Sequence, residues 1–412
     1  FPAILVTGAR QTGKTTLLRQ EYGSSHAYLS LDRPDIRQQA LSDPVAFLRE
    51  HPAPLILDEI QQVPELLSYI KEAIDRDRRP GRWLLTGSQK FPLMRGISET
   101  LAGRVAILEL GPLAVSEVLA HDRPDVASPL DALMERVFGS SPSSRGGDLS
   151  ETKAQNLSEV EDVFPDPPRI DLADWLLRGG YPELRLNARV DRQLWLGAYI
   201  QTYLERDVRN LVQVGDLGAF SRFLGLVASR SGTLVNLSNF GREVGVSGPT
   251  IRRWLSVLET SQIVHLLPPF HRSFGKRIRK SPKLIMADPG LVSFLVGLHD
   301  REALLRGPML GPLTETAVLG EWIKAFRNAG ERLSLSHWRS GDGLEVNLVF
   351  ERGGWIYGVE VKATATPTSH HADALARWLA LAGENARGVL ACHVDSPRTI
   401  RPGIRAVPWH LA

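Results

Sequence analysis

Gly8-Ala9-Arg10-Gln11-Thr12-Gly13-Lys14-Thr15, with Thr16 next, lies between an apolar run, Ile4–Thr7, and a helix-forming run, Thr16–Glu21. The octet has the form G-x-x-x-x-G-K-[ST]. A strand before it and a helix after it are the context in which that spacing makes a phosphate cradle. Its glycines let the backbone turn so that N–H groups point inward at phosphate oxygens, and the helix N-terminus adds partial positive charge. Lys14 is then placed to reach the β- and γ-phosphates and Thr15 to hold Mg²⁺, so ATP and Mg²⁺ are the expected cofactors of residues 8–16. The bland alternative is a glycine-rich turn without a ligand.

Outward from the cradle, Leu55-Ile56-Leu57-Asp58-Glu59 is a buried-strand pattern ending in two acids, 44 residues after Lys14. Such a strand delivers Asp58 to the carboxyl edge of the sheet, where it can hold Mg²⁺, and leaves Glu59 to polarise an attacking water. A third run, Trp83–Thr86, leads to Ser88, whose hydroxyl suits a γ-phosphate or the water. Leu101-Ala102-Gly103-Arg104 stands before a further run, Val105–Leu110. Arg104 is read as a catalytic arginine acting across a subunit boundary, or else as a surface ion pair. With Ala27–Leu31 these runs alternate with amphipathic stretches, which predicts a parallel sheet covered by helices.

The whole chain has 412 residues, 49 Lys+Arg against 46 Asp+Glu, 43% apolar residues and one cysteine. This is ordinary globular composition, enough for two or three domains, and it excludes collagen, coiled coil and wholesale disorder. No apolar run approaches the ~18–20 residues of a membrane span, so no membrane partner is expected. Cys392 alone makes neither a disulfide framework nor a cysteine zinc site, and fits a reducing cytoplasm. A net charge of +3 is too small to announce nucleic acid by itself. The chain opens at Phe1 inside a strand-like segment, which suggests that a native start lies upstream.

Composition shifts after Leu119. Nine of the 12 residues from Gly139 to Ser150 are Gly, Ser or Pro, and 121–170 reads as a linker or insertion, mobile around 139–150; an ordered functional loop is the alternative. Beyond it a helix is predicted from Asp191 to Val214, its aromatic stripe Trp195, Tyr199, Tyr203 facing a core. Asn236 and Ser247 then cap two helices, Leu237–Val244 and one running to Thr260, in a helix-turn-helix pattern that leaves Arg252 and Arg253 on the second. Six cations follow in 12 residues without an acid: Arg272, Lys276, Arg277, Arg279, Lys280 and Lys283. A basic wing of this kind can bind the phosphate backbone of DNA or RNA, or can be a solvated hairpin on a protein-docking module.

In the last hundred residues Glu315 falls on a helical pattern, Glu345 and Asn347 share one face of a strand, and Glu360 and Lys362 share one face of the next. His370, His371 and His393 lack partners at metal-ligand spacing.

The cradle together with "YLSLDRPD" (28–35), "LILDEIQ" (55–61), "LLTGSQ" (84–89), "LAGRV" (101–105), "RGGYPEL" (178–184), "TYLERDV" (202–208) and "SPKLIMADPGL" (281–291) resembles the prokaryotic AAA+-like P-loop ATPases that carry a C-terminal domain of unknown function. The resemblance implies an α/β fold: an ASCE-type parallel sheet over 1–120, a helical and winged-helix region over 171–295, and a small restriction-endonuclease-like α/β domain over 296–412. It implies ATPase activity, a homo-oligomer, the nucleotide roles above for Lys14, Thr15, Asp58, Glu59 and Ser88, and a trans role for Arg104. The helical Glu315, the strand acids and Glu360-Val361-Lys362 resemble a PD-(D/E)xK nuclease site, in which carboxylates hold Mg²⁺. Asn347 stands where that pattern has an aspartate, which argues against cleavage because an amide is a poor Mg²⁺ ligand. Two functions stay open: an ATPase coupled to a nucleic-acid-directed module, and a nucleotide-operated protein-interaction switch of the defence or toxin–antitoxin type.

Overall fold

Five parallel strands open the chain: β1 Ala3–Thr7, β2 Ala27–Ser30, β3 Leu55–Asp58, β4 Trp83–Gly87 and β5 Val105–Glu109. The computed structural model describes residues 1–87, 101–119, 129–139, 170–203, 208, 216–270 and 281–411. The strand order is β2-β3-β4-β1-β5, every pairing parallel. The interior strands β3 and β4 are buried at every residue, the edge strands β2 and β5 only in part. That is why 55–58 and 83–85 read as continuous apolar runs. Helix 66–76 covers the sheet through Leu66, Leu67, Ile70 and Ile74, spaced for one helix face. Thr7, Asp58 and Gly87 end their strands side by side, so the carboxyl edge of the sheet carries the cradle and the acids together.

The rest of the described chain is built mainly on an apolar core that runs from Val115 to Trp409. Short helices 172–178, 192–202, 217–229, 237–244 and 248–260 start on side-chain caps at Asp171, Asp191, Asp216, Asn236 and Ser247, which accept the otherwise orphaned first N–H groups; helix 182–186 between the first two starts on Pro182 without a side-chain cap. The predicted helix from Asp191 to Val214 is described over 192–202, where Tyr199 stacks on Trp195 at 5.4 Å. A two-stranded antiparallel ribbon, β6 Val264–Leu267 and β7 Lys283–Met286, follows helix 248–260.

Helix 310–328 is the long central element, buried from Leu313 to Phe326 apart from Glu315. Against it lies a six-stranded mixed sheet, β12-β13-β11-β10-β9-β8, made of β8 Ser336–Arg339, β9 Glu345–Arg352, β10 Trp355–Val361, β11 Ala386–Cys392, β12 Arg398–Arg401 and β13 Ile404–Pro408. Leu348, Phe350 and Val359 join the core of helix 310–328. Val346, with Leu375 and Trp378 of helix 373–382, forms a second apolar layer. The helical region and the sheet thus share packing across the boundary read at 295/296.

One expectation is corrected. Inside the stretch read as linker, residues 129–138 form a helix, and Leu130, Leu133, Met134 and Val137 are buried in the main core. Their i, i+3, i+4, i+7 spacing is a helical stripe, and Phe138 packs on Tyr357 with ring centroids 4.7 Å apart. The remainder of 120–170, apart from Gly139 and Ile170, lies outside the described residues, as do Ser88, Arg272, Lys276, Arg277, Arg279 and Lys280. Among the described residues no helix is long and apolar enough to cross a membrane.

Candidate nucleotide site

The loop after β1 is held in shape by backbone that few residues tolerate. Gly8 has φ +154°, and a Cβ there would lie 2.1 Å from the Leu110 carbonyl oxygen; Gln11 and Gly13 have φ 61° and 91°. Only glycine fits at residue 8, because the chain leaving β5 at Leu110 passes directly behind it. Helix 14–22 begins without a side-chain cap, so its first N–H groups open into the loop. Lys14 is buried, and its Nζ donates to the carbonyls of Gly8 at 3.1 Å and Ala9 at 2.7 Å.

Asp58 is the hub of the site. It is buried and accepts three hydroxyls: Thr15 Oγ1 at 2.7 Å, Thr86 Oγ1 at 2.5 Å and Tyr28 OH at 2.9 Å. Burial, and then the Asp58 carboxylate beside it, push the Tyr28 phenol up to about 12, so it donates at every physiological pH. Thr86 Oγ1 also accepts the Glu59 N–H at 3.0 Å. Glu59 has φ 58°, a left-handed conformation held by this bond, and its carboxylate accepts from Gln61 Nε2. The structure therefore gathers Thr15, Asp58 and Glu59 at one edge. Tyr28 and Thr86 orient the Asp58 carboxylate, and Thr86 holds the Glu59 backbone beside it.

Three comparisons bear on the chain at this point. Residues 1–119 match a family model described as an AAA domain; residues 169–302 and 310–412 match two models each described as a domain of unknown function, DUF8612 and DUF4143. Two proteins called uncharacterized, from Mycobacterium tuberculosis and Mycobacterium bovis, are each 31% identical over 368 residues, which is 89% of this chain and 71% of theirs. The chain belongs to the family of those mycobacterial proteins. Its N-terminal part is a P-loop ATP-binding domain of the AAA type. Among solved structures, a RuvB variant from Thermotoga maritima aligns at TM-score 0.26 with 19% identity, covering 65% of this chain and 83% of that one; a Vibrio cholerae protein aligns at 0.18 with 11% identity, covering 99% and 94%. Both likenesses are too slight to bear on fold or function.

In this family member the "RGGYPEL" segment lies against the phosphate loop. A Cβ on Gly13 would sit 3.9 Å from Pro182 Cγ. Gly180 accepts from the Leu113 N–H at 2.7 Å and donates to the fully buried Asp288 carboxylate at 2.7 Å. Gly179 takes φ +69° with Asp288 where a Cβ would be, so the paired glycines are required by close approach. Helix 310–328 makes a second junction: Glu321 accepts the Val115 N–H at 2.7 Å, and Lys324 donates to Leu113 O at 3.0 Å.

Arg104 lies elsewhere. It precedes β5, at the amino edge of a parallel sheet whose carboxyl edge carries Gly8. Five strand residues separate the two edges, roughly 16 Å. Its guanidinium pairs with Asp75 through Nε at 2.8 Å and a terminal nitrogen at 3.0 Å. It is thus an ion pair within its own chain and does not reach its own cradle.

The C-terminal polar residues are engaged with one another and with the backbone. Asn347 Oδ1 accepts the Val361 N–H at 2.8 Å, tying β9 to β10. Glu360 is buried, and one of its oxygens pairs with Lys362 at 2.6 Å. Glu315 and Glu345 both pair with Lys283. Lys283, read as one of the wing cations, is 1% exposed and is removed from that list. Asp342 pairs with Arg377 on the surface, away from the buried acids. Arg252 and Arg253 are exposed on helix 248–260. Among the described residues no group of three His, Cys, Asp or Glu is arranged to hold a metal.

Burial pushes the Glu360 carboxyl up to about 7, against the pull of Lys362. An unfolded glutamate titrates near 4.3. Between these values the folded chain keeps a proton that the unfolded chain has lost, so this group's contribution to stability falls as pH rises. Glu360→Gln is expected to leave stability unchanged at pH 4 and to raise it by about 1–3 kcal/mol at pH 8. Urea midpoints across that range check this; a parallel offset at both pH values would contradict it.

Proposed function

We propose that the chain is an ATP-hydrolysing AAA+-type protein whose nucleotide state is passed to a winged-helix and nuclease-like C-terminal part that contacts nucleic acid without cutting it. The observation that carries the reading is the convergence of Thr15, Asp58 and Glu59 at one sheet edge, beside a loop that only glycine can form at residue 8.

The residues fit ATP with Mg²⁺. The uncapped helix start and the N–H groups of residues 8–13 suit phosphate oxygens, Lys14 supplies a buried cation, and Thr15 with Asp58 is an oxygen donor set for a hard divalent ion. Bound ATP·Mg²⁺ supplies a phosphoanhydride whose developing charge the metal offsets. Glu59 orients water and takes its proton, its backbone held by Thr86 and its carboxylate by Gln61. Ser88 is assigned to the γ-phosphate side from the strand that ends at Gly87. Gly180, bonded to Leu113 on one side and Asp288 on the other, links the chain that leaves β5 to helix 289–295.

In the second part, helices 237–244 and 248–260 with the β6–β7 ribbon have winged-helix order. The exposed Arg252 and Arg253, with Lys276, Arg277, Arg279 and Lys280 of the intervening segment, are the proposed phosphate contacts. One observation favours the second reading, a protein-interaction switch: the ribbon is already engaged within the chain, Phe270 N donating to His337 O at 2.6 Å.

The test is fluorescence anisotropy of duplex DNA and single-stranded RNA with ATP-loaded Glu59→Gln protein across a salt series. With several phosphate contacts, affinity is expected to fall ~10²–10⁴-fold from 50 to 200 mM salt, and no strand is cut with Mg²⁺ or Mn²⁺ present. Salt-insensitive or absent binding selects the protein switch. Cleavage that Lys362→Ala abolishes overturns the non-cutting assignment.

A further inference from the structure

The acids of the C-terminal part do not fit a metal, and the misfit has a specific cause. Glu315 comes from helix 310–328, Glu345 from the start of β9, and Lys283 from β7, residues brought together from three separate elements. The Lys283 ammonium, buried, pairs with an Oε1 of both glutamates. Two carboxylates on one buried cation is also an arrangement in which a divalent ion can be held. The other candidate ligands are committed elsewhere: Asn347 Oδ1 to the Val361 N–H, Glu360 Oε1 to Lys362. Glu360 Oε2 is buried without a hydrogen-bond partner.

We propose that the Lys283 ammonium is the resident cation of this carboxylate cluster: it holds the place a divalent ion would take between Glu315 and Glu345, and so locks the β6–β7 ribbon to helix 310–328 and the six-stranded sheet.

The surroundings support one fixed positive charge there. Burial pulls the ammonium down, but Glu315 and Glu345 outweigh it, and its pKa is raised. His337, buried beside the cluster, is pushed down to about 4 by burial and by Lys283, so it is neutral and does not compete. Gly232 makes room for the Glu315 carboxylate: a Cβ there would lie 3.1 Å from Oε2. A tethered cation costs no binding from solution and needs no free metal. The inference stands on this cluster and is independent of the nucleotide reading.

The experiment is thermal unfolding of the full chain without nucleotide, in EDTA and in MnCl₂, for wild type, Lys283→Met and Lys283→Met/Glu345→Gln. Lys283→Met orphans two carboxylates and is expected to lower Tm by about 10 °C in EDTA. Mn²⁺ at ~100 times its dissociation constant is expected to return roughly half of that loss. Wild type is expected to show no Mn²⁺ shift. The double variant, with one orphaned charge removed, is expected to regain stability in EDTA and to lose the Mn²⁺ response. Electron paramagnetic resonance of Mn²⁺ should show one added bound ion in Lys283→Met relative to wild type. The proposal is overturned if Lys283→Met, folded or unfolded, is indifferent to Mn²⁺ while the double variant folds, or if wild type already responds as strongly as Lys283→Met.

Discussion

Lys14→Ala is expected to lose ATP binding at concentrations where wild type saturates, while Glu59→Gln keeps wild-type affinity and loses turnover by ~10²–10⁴-fold. The two residues differ in what they touch. Lys14 is a buried cation with its Nζ among the loop carbonyls; in the loaded site its charge answers triphosphate, so its removal acts on binding. Glu59 stands at the sheet edge with its N–H fixed by Thr86, and an amide there keeps size and polarity but cannot take a proton. Calorimetric titration with ATP and a coupled phosphate-release assay separate the two effects. Because Lys14 also braces the loop, Lys14→Met is the packing control. Equal ATP affinity in wild type and Lys14→Ala would remove the cradle assignment, and unchanged turnover in Glu59→Gln would remove the general-base role.

The N-terminal part was legible because its signals are local. The glycine spacing at 8–15, the apolar runs at 55–57 and 83–86, and the acids at 58 and 59 each state a backbone or burial requirement within a few residues, and all five strands fall where the runs lie. Helix caps were equally legible at Asn236 and Ser247, where a side chain bonds an N–H three residues on. What failed to show in sequence depends on distant partners. Tyr28 meets Asp58 across a strand pairing, and nothing in "YLSLD" marks its hydroxyl as a carboxylate ligand. Gly179 is dictated by Asp288, more than a hundred residues away, and Gly180 by the Leu113 carbonyl, which a Cβ would meet at 2.3 Å. Lys283 looked like a sixth solvent-facing cation in a basic run; its burial is set by Glu315 and Glu345, which the chain reaches 32 and 62 residues later. Helix 129–138 is a different case: its stripe Leu130, Leu133, Met134, Val137 was present, but the flanking Gly, Ser and Pro residues masked it. The edge strands β8 and β12, "SHWR" and "RTIR", are short and polar, and edge strands need no apolar alternation to pair on one side.

Arg104→Ala is expected to reduce turnover by ~10³-fold with ATP affinity preserved, if the guanidinium completes the site of a neighbouring subunit. The geometry leaves no cis route. Residue 104 stands at the amino edge of the sheet and the cradle at the carboxyl edge, and a side chain spans far less than the ~16 Å between them. In the single chain the guanidinium rests on Asp75. An ion pair of this half-exposed kind contributes little, and the triphosphate of an adjoining subunit carries more charge than one carboxylate. Two further results follow from a trans role. Turnover per subunit should rise with protein concentration until assembly saturates, and mixing Arg104→Ala with Glu59→Gln should recover part of the activity that each lacks, because the Glu59→Gln subunit donates Arg104 to a site with Glu59 intact. Asp75→Asn separates this role from an ion pair that merely supports the fold: it breaks the Asp75 contact but keeps the guanidinium, so its turnover should stay near wild type. If Asp75→Asn and Arg104→Ala lose activity equally, or if the mixture shows no recovery, Arg104 serves its own chain's fold and the catalytic assignment is withdrawn.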